Sequence, residues 1–495
     1  MLLNTLLLYT VTLFSFGGTR NYPSLAASLI PLIFLLIALP LVIVVAGSGA
    51  VLSAGPVLLL SAAALSYGLA LATRTISRRG AIMGMRRSAS QILPAVPILI
   101  CIALVASSWM LSGVVPTLIT FGLNVLNPHT FLVVACATCA VISVMTGSSW
   151  TTIATIGIAF MGIGEAMGFS DPWIAGAIIS GAYFGDKVSP LSDTTVVASS
   201  TVGVDLFDHI RYMVITTVPA MTVALLIYLI AGWCFTPAPA SQTAAMLDAL
   251  DSTFRITPWT LVIPAITLAL IAMRIPSIWV MIAASLAGIA GIFIFQPGLE
   301  LHLAEIARTL WSGISLTTGN SVLDELITSS GVLGMLPTIW LILSAMIFGA
   351  AMIGTGMLTR LTDTFTGHMK SRTSIVGATL CSGLSMNCLT GDQYLSLIIT
   401  GNMYRSLYRG FGLEKRLLSR SMEDSISVTS VLIPWNSCGL TQAAVLGVAT
   451  FAYAPFCFFN YLTPLFSILI TRLGYKIPEP PKLRQPVRIT ASSSQ

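Results

Sequence analysis

The sequence predicts an all-α polytopic membrane protein built from two inverted-topology repeats with broken helices and re-entrant hairpins. Three observations predict it. Hydrophobic residues make up 55% of the 495-residue chain and charged residues only 8%, against about 25% charged in a soluble domain; mean hydropathy is +0.90. Apolar runs of the roughly 20 residues needed to cross a bilayer as a helix recur along the chain. Several of these runs are interrupted by glycine, proline, hydroxyls and acids, at matching places in the two halves. The net charge is +6, but the basic residues fall in short loops, so the charge speaks for membrane orientation and not for nucleic acid. The 8 cysteines lie in or beside apolar segments and read as packing residues, not a disulfide framework. Cys136-x-x-Cys139, inside an apolar run, is read the same way.

Residues 1–16 are apolar without a preceding positive charge and read as an interfacial or partly inserted segment rather than a cleaved signal. Residues 26–45 and 51–72 are the first clear spans. Arg74, Arg78, Arg79, Arg86 and Arg87 follow with no acid among them, which makes this loop cytoplasmic. Residues 95–115 then cross outward, and 116–129 form an outer connection. Residues 131–145 enter again and break at Thr146-Gly147-Ser148-Ser149-Trp150; 153–161 turn back, and 173–189 re-enter. Residues 213–231 complete the first half.

Residues 236–257 are polar and lack Lys or Arg until Arg255, as an external connecting loop should. This divides the chain into an N-terminal half (1–235), the loop, a C-terminal half (258–471) and a basic cytoplasmic tail (472–495). In the second half 261–272 and 279–295 cross, 300–308 are external, 311–326 form a polar stretch of re-entrant character, and 336–353 cross inward. Residues 374–386 enter and break around Asn387 to Gln393. Arg405, Arg409, Lys415, Arg416 and Arg420 mark another cytoplasmic loop. Residues 428–439 re-enter with a break at Pro434-Trp435-Asn436, and 443–470 hold the last span. Both termini are thereby placed in the cytoplasm.

The densest break runs from Gly181 to Thr195. Its Pro190 removes a helical donor, and Asp186, Lys187 and Asp193 each cost about 2.5–3.5 kcal/mol to insert into a bilayer. Such residues persist where they line a water-filled or protein-walled cavity. Thr146-Gly147 and Thr390-Gly391 occupy matching places, each followed by a short apolar return and then by acids: Asp186 and Asp193 in the first half, Glu423 and Asp424 in the second. Paired broken segments in oppositely oriented halves point to the binding site of a secondary transporter. An interrupted helix exposes N–H groups at one end and carbonyls at the other. Carbonyls, hydroxyls and carboxylates are hard donors suited to a small alkali cation, and a carboxylate binds a proton in its place. Competition of cation and proton for one acid gives exchange. On this chemistry the candidate Na+/H+ site is Asp186, Asp392, Asp193 and Asp424 with Thr146, Ser148, Ser149, Ser189, Thr390, Asn387 and Asn436.

Each candidate also has a plain structural reading. Asp186 and Lys187 form a self-neutralised pair on that view, Asp193 or Asp392 caps a helix, and one of Glu423 and Asp424 pairs with Arg420. His129, His209, His302 and His368 sit in or near loops without metal-ligand spacing. An aspartyl intramembrane protease needs Gly-x-Gly-Asp, where Tyr183 replaces the first glycine, and a zinc protease needs His-Glu-x-x-His, which is missing. A channel fits inverted breaks with lone acids less well than alternating access does.

The segments 146–152, 161–165, 180–195, 390–394, 423–425 and 433–438 together resemble the NhaC family of sodium/proton antiporters, from about Ser88 to the last span. The resemblance implies a multi-pass bacterial inner-membrane protein that exchanges cytoplasmic Na+ for external H+, with no cofactor and no enzymatic activity. It also admits the exchange of an organic anion or another small solute coupled to Na+ or H+. A homodimer is compatible with this reading.

Overall fold

The computed structural model describes residues 23–46, 51–75, 95–236, 240–273, 275–297, 302–313, 331–358, 360–361 and 371–475. Among these, all regular structure is helical. The apolar segment at 1–16, Arg78, Arg79, Arg86 and Arg87 of the first basic loop, most of the polar stretch 311–326, and all but the start of the tail lie outside the described residues. Among the described residues five helices are long and apolar enough to cross a membrane, or up to eight if each bent pair is one span. Large apolar side chains remain exposed around the outside, among them Val125, Trp233, Trp259 and Leu473. That surface suits a bilayer.

The first half opens with α1 (Leu25–Ala46) and α2 (Val51–Ala72), which pack together. Next come α3 (Ala95–Leu111) and α4 (Val114–Val125), bent by 67° where Gly113 takes a left-handed φ of 79°. The outer connection expected at 116–129 is therefore mostly helix; Pro116 sits in the first turn of α4, where its missing N–H costs nothing. Then follow α5 (Phe131–Thr146), the single turn α6 (Ser149–Thr152), a π-helical turn (Ile153–Gly157) and α7 (Ile158–Ala166). Helices α8 (Asp171–Val188), α9 (Asp193–Val202) and the long α10 (Leu206–Cys234) complete the half.

The stretch 236–257, expected as an external loop, holds α11 (Ala240–Thr253). Its alanines, Leu247, Leu250 and Met246 are good helix formers, and no Gly or Pro interrupts them; low hydropathy hid the helix. A bend of 86° leads on to α12 (Val262–Ala272). Helices α13 (Ser277–Phe295) and α14 (Leu303–Ser312) follow, and α14 is amphipathic, with Ile306 and Leu310 buried one turn apart and Leu303 exposed. The remainder is α15 (Gly331–Gly354), α16 (Arg372–Thr390), α17 (Gln393–Gly410), α18 (Lys415–Met422), a second π-helical turn (Glu423–Ser427), α19 (Ser437–Leu446), α20 (Thr450–Tyr453) and α21 (Phe458–Leu473).

The breaks fall within a few residues of their expected places. Helix α5 ends at Thr146 and α16 at Thr390, each closed by a glycine at φ 66°. α8 lies against α5 because glycines remove the intervening side chains. A Cβ on Gly181 would stand 2.0 Å from the Cys136 carbonyl oxygen, and one on Gly185 2.3 Å from that of Ala140. In the second half Gly383 of α16 lets the π-turn come close in the same way, where a Cβ would meet Ser425 Oγ at 2.4 Å.

Candidate ion-binding site

Two pairs of breaks meet in the interior, built on the same hydrogen bonds. In the first half the Thr146 hydroxyl accepts from Ser148 N at 3.1 Å and stands 3.2 Å from Thr152 Oγ1, which donates to Ser148 O at 3.0 Å. In the second, Thr390 accepts from Asp392 N at 3.1 Å and stands 2.8 Å from Ser396 Oγ, which donates to Asp392 O at 2.7 Å. Ser148 and Asp392 are the corresponding N-caps; each accepts from the N–H three residues on, Thr151 at 3.2 Å and Leu395 at 2.9 Å. The second pair also matches: Ser192 caps α9 two residues after Pro190, and Asn436 caps α19 two residues after Pro434.

On this frame Asp186 sits at the end of α8 and faces the start of α6. One carboxylate oxygen accepts from Ser149 N at 3.1 Å and Ser149 Oγ at 2.7 Å; the other accepts from Ser192 Oγ at 2.6 Å. The counterpart contact in the second half is neutral: Ser430, four residues before Pro434, donates to Gln393 at 3.3 Å. Ser189 does not face this carboxylate; its hydroxyl is spent on the Val144 carbonyl at 2.7 Å, tying the break to α5. Asn387 donates to Ile426 O at 2.7 Å and to Thr429 at 3.2 Å, and receives Asn436 Nδ2 on its own carbonyl at 3.2 Å. Both asparagines thus bind α16 to the re-entering segment.

A separate buried cluster lies beside this frame. Lys187 forms an ion pair with Asp424, not with its neighbour Asp186. The same Asp424 oxygen accepts from Thr216 of α10 at 3.0 Å, while the other lies 3.7 Å from Arg420. Arg420, expected in a cytoplasmic loop, is 0% exposed, because its guanidinium stacks 4.8 Å over the Tyr212 ring and faces Asp424 one turn on. Glu423 and Asp424 are both fully buried, as the π-turn carries them into the interior. His209, expected near a loop, is a buried residue of α10. Asp193 is exposed, and the adjacent Ser192 takes the capping role.

The structure therefore gathers Asp186, Ser149 and Ser148 at one break, Asp392, Thr390, Asn387 and Asn436 at the other, and Asp424 in the ion-paired cluster. Sequence reasoning left Ser192, Lys187, Arg420, Thr216 and Glu423 out of the site. The signal for Ser192 was Pro-x-Ser, repeated as Pro-x-Asn in the second half. For Glu423 it was two adjacent acids in an otherwise neutral stretch.

The model of the Na+/H+ antiporter family matches residues 21–233 and 181–475. The chain belongs to this family. Within the family it is 39% identical over 380 residues to the Na(+)/H(+) antiporter NhaC of Alkalihalophilus pseudofirmus, covering 76% of this chain and 81% of that one. It is 34% identical over 384 residues to the malate-2H(+)/Na(+)-lactate antiporter of Bacillus subtilis (77% and 81% covered). It is 33% identical over 401 residues to the arginine/ornithine antiporter ArcD of Halobacterium salinarum (80% and 81% covered). These relatives are transporters, not enzymes, and the chain is a multi-pass membrane antiporter in their company.

Proposed function

We propose that this antiporter exchanges cytoplasmic Na+ for external H+ by alternating access, with the carboxylates at the breaks binding cation and proton in turn. The observation that carries the reading is Asp186, an acid held where the end of α8 faces the start of α6 by Ser149 and Ser192. Asp392 is the acid of the matching break. Alternating access requires the two halves to move against each other, and matching broken segments supply a common hinge geometry. A second reading is favoured by relatives named for malate, lactate, arginine and ornithine: an organic solute moves in exchange, coupled to Na+ or H+.

The test is a proteoliposome assay with an internal pH dye. Pulses of NaCl, LiCl, KCl and small carboxylates or amino acids are given to the same vesicles. Exchange of Na+ for H+ predicts an internal pH change after Na+ alone. A response only when an organic solute is present on one side establishes the second reading instead.

A further inference from the structure

We propose that Glu423, together with Ser427, forms a further seat for the transported cation, on the second π-turn beside the carboxylates at the breaks. This rests on the exchange reading above and names the residues that hold its ion. The first argument is occupancy. Both Asp186 oxygens already accept hydrogen bonds from Ser149 and Ser192, and Asp424 is tied to Lys187 and Thr216. Glu423 is 0% exposed, yet neither of its carboxylate oxygens has a hydrogen-bond partner. Ser427, one π-turn on, sets its hydroxyl beside that carboxylate, and the side-chain oxygen of Asn387, on the neighbouring α16, is unpartnered too. Buried acceptors without donors are costly; a buried carboxylate, a hydroxyl and an amide oxygen close together are the hard oxygens a desolvated Na+ requires.

The second argument is charge. Lys187, Asp186 and Asp424 lie within electrostatic reach of Glu423, Lys187 pairs with Asp424, and Arg420 faces Asp424. The two cations leave one carboxylate uncompensated, which calls for a single monovalent ion. The third is local geometry. A π-turn widens the helix and frees backbone and side chains from the regular ladder, and such turns recur at functional sites. Here the turn also carries the pairing partner of Lys187, so an ion at Glu423 sits next to the contact between the two halves.

The experiment is thermal unfolding of the full-length protein in detergent, titrated with NaCl at ionic strength held constant with N-methyl-D-glucamine chloride. Wild type is expected to melt at rising temperature as Na+ binds the folded state. Glu423→Gln is expected to lose this Na+-dependent rise, and to melt above wild type without Na+, because an unpaired buried charge is gone. A residue of merely structural importance would melt lower instead. Ser427→Ala keeps the charge and should raise the half-saturating Na+ concentration roughly tenfold, the size of one lost ion contact. If Glu423→Gln retains the wild-type shift and half-saturation, the seat is wrong while the exchange reading stands. Should Glu423→Gln fail to fold, Ser427→Ala decides, and unchanged half-saturation overturns the proposal. A wild type that shows neither stabilisation by Na+ nor Na+-driven proton movement in vesicles overturns the exchange reading, and the seat with it.

Discussion

Asp186 and Asp424 are both acids at re-entering segments, yet their surroundings assign them different work. Asp186 accepts only from hydroxyls and one backbone N–H, so Asn can replace its shape but not its charge. Asp186→Asn is expected to abolish Na+-dependent proton movement in vesicles at normal expression, while Asp193→Asn, exposed and not the cap, leaves it near wild type. A normal rate in Asp186→Asn would remove that acid from the mechanism. Asp424 compensates a lysine that is 1% exposed. Asp424→Asn therefore removes the ion-pair partner of a buried lysine and should cost about 3–5 kcal/mol, read as a fall in melting temperature. Adding Lys187→Gln removes that lysine's charge and should recover much of that loss; an equally unstable double variant would show that the pair is not what stabilises the region.

At the scale of elements, the contact between α5 and α8 depends on Gly181 and Gly185. Gly185→Ala places a methyl 2.3 Å from the Ala140 carbonyl oxygen and 2.5 Å from Ser143 Cβ. The overpacking should cost about 1–3 kcal/mol and displace the turn that carries Asp186. Expected are a lower melting temperature and weakened exchange together; wild-type values for both would mean that α8 moves aside freely. The long spans and the breaks were legible because lipid imposes hydropathy and because Thr-Gly and Pro-x-Ser or Pro-x-Asn have few uses in mid-helix. α11 was not legible, since a polar, alanine-rich segment satisfies the rules for a loop and for a surface helix alike. Nor was the partner of Lys187, which lies 237 residues away: composition shows that a buried lysine needs an acid, but not which one. Ser192 and Asp193 are both good caps side by side, and only the geometry separates them.

At the scale of the molecule, the proposed orientation rests on Arg405 and Arg409 at the end of α17 and Lys415 and Arg416 at the start of α18. Positive residues stay in the cytoplasm, so on this orientation exposed Ser406 is expected inside. A Ser406→Cys variant on a cysteine-free background should resist an impermeant thiol reagent in intact cells and react once the membrane is opened. Labelling from outside would reverse the proposed orientation. The matching breaks have a historical meaning as well. Hydrogen bonds repeated one for one at Thr146 and Thr390, made by different neighbours, are what a duplicated segment would show after its copies had drifted apart. The drift has been unequal: the first copy holds its acid at Asp186, where the second has Ser430, and the second holds Asp392, where the first has Ser148. Two identical copies in opposite orientation would be related by a two-fold axis in the membrane plane, with the same kinetics viewed from either side of the bilayer. Exchanging serine for aspartate at different places in each copy has given this one a front and a back.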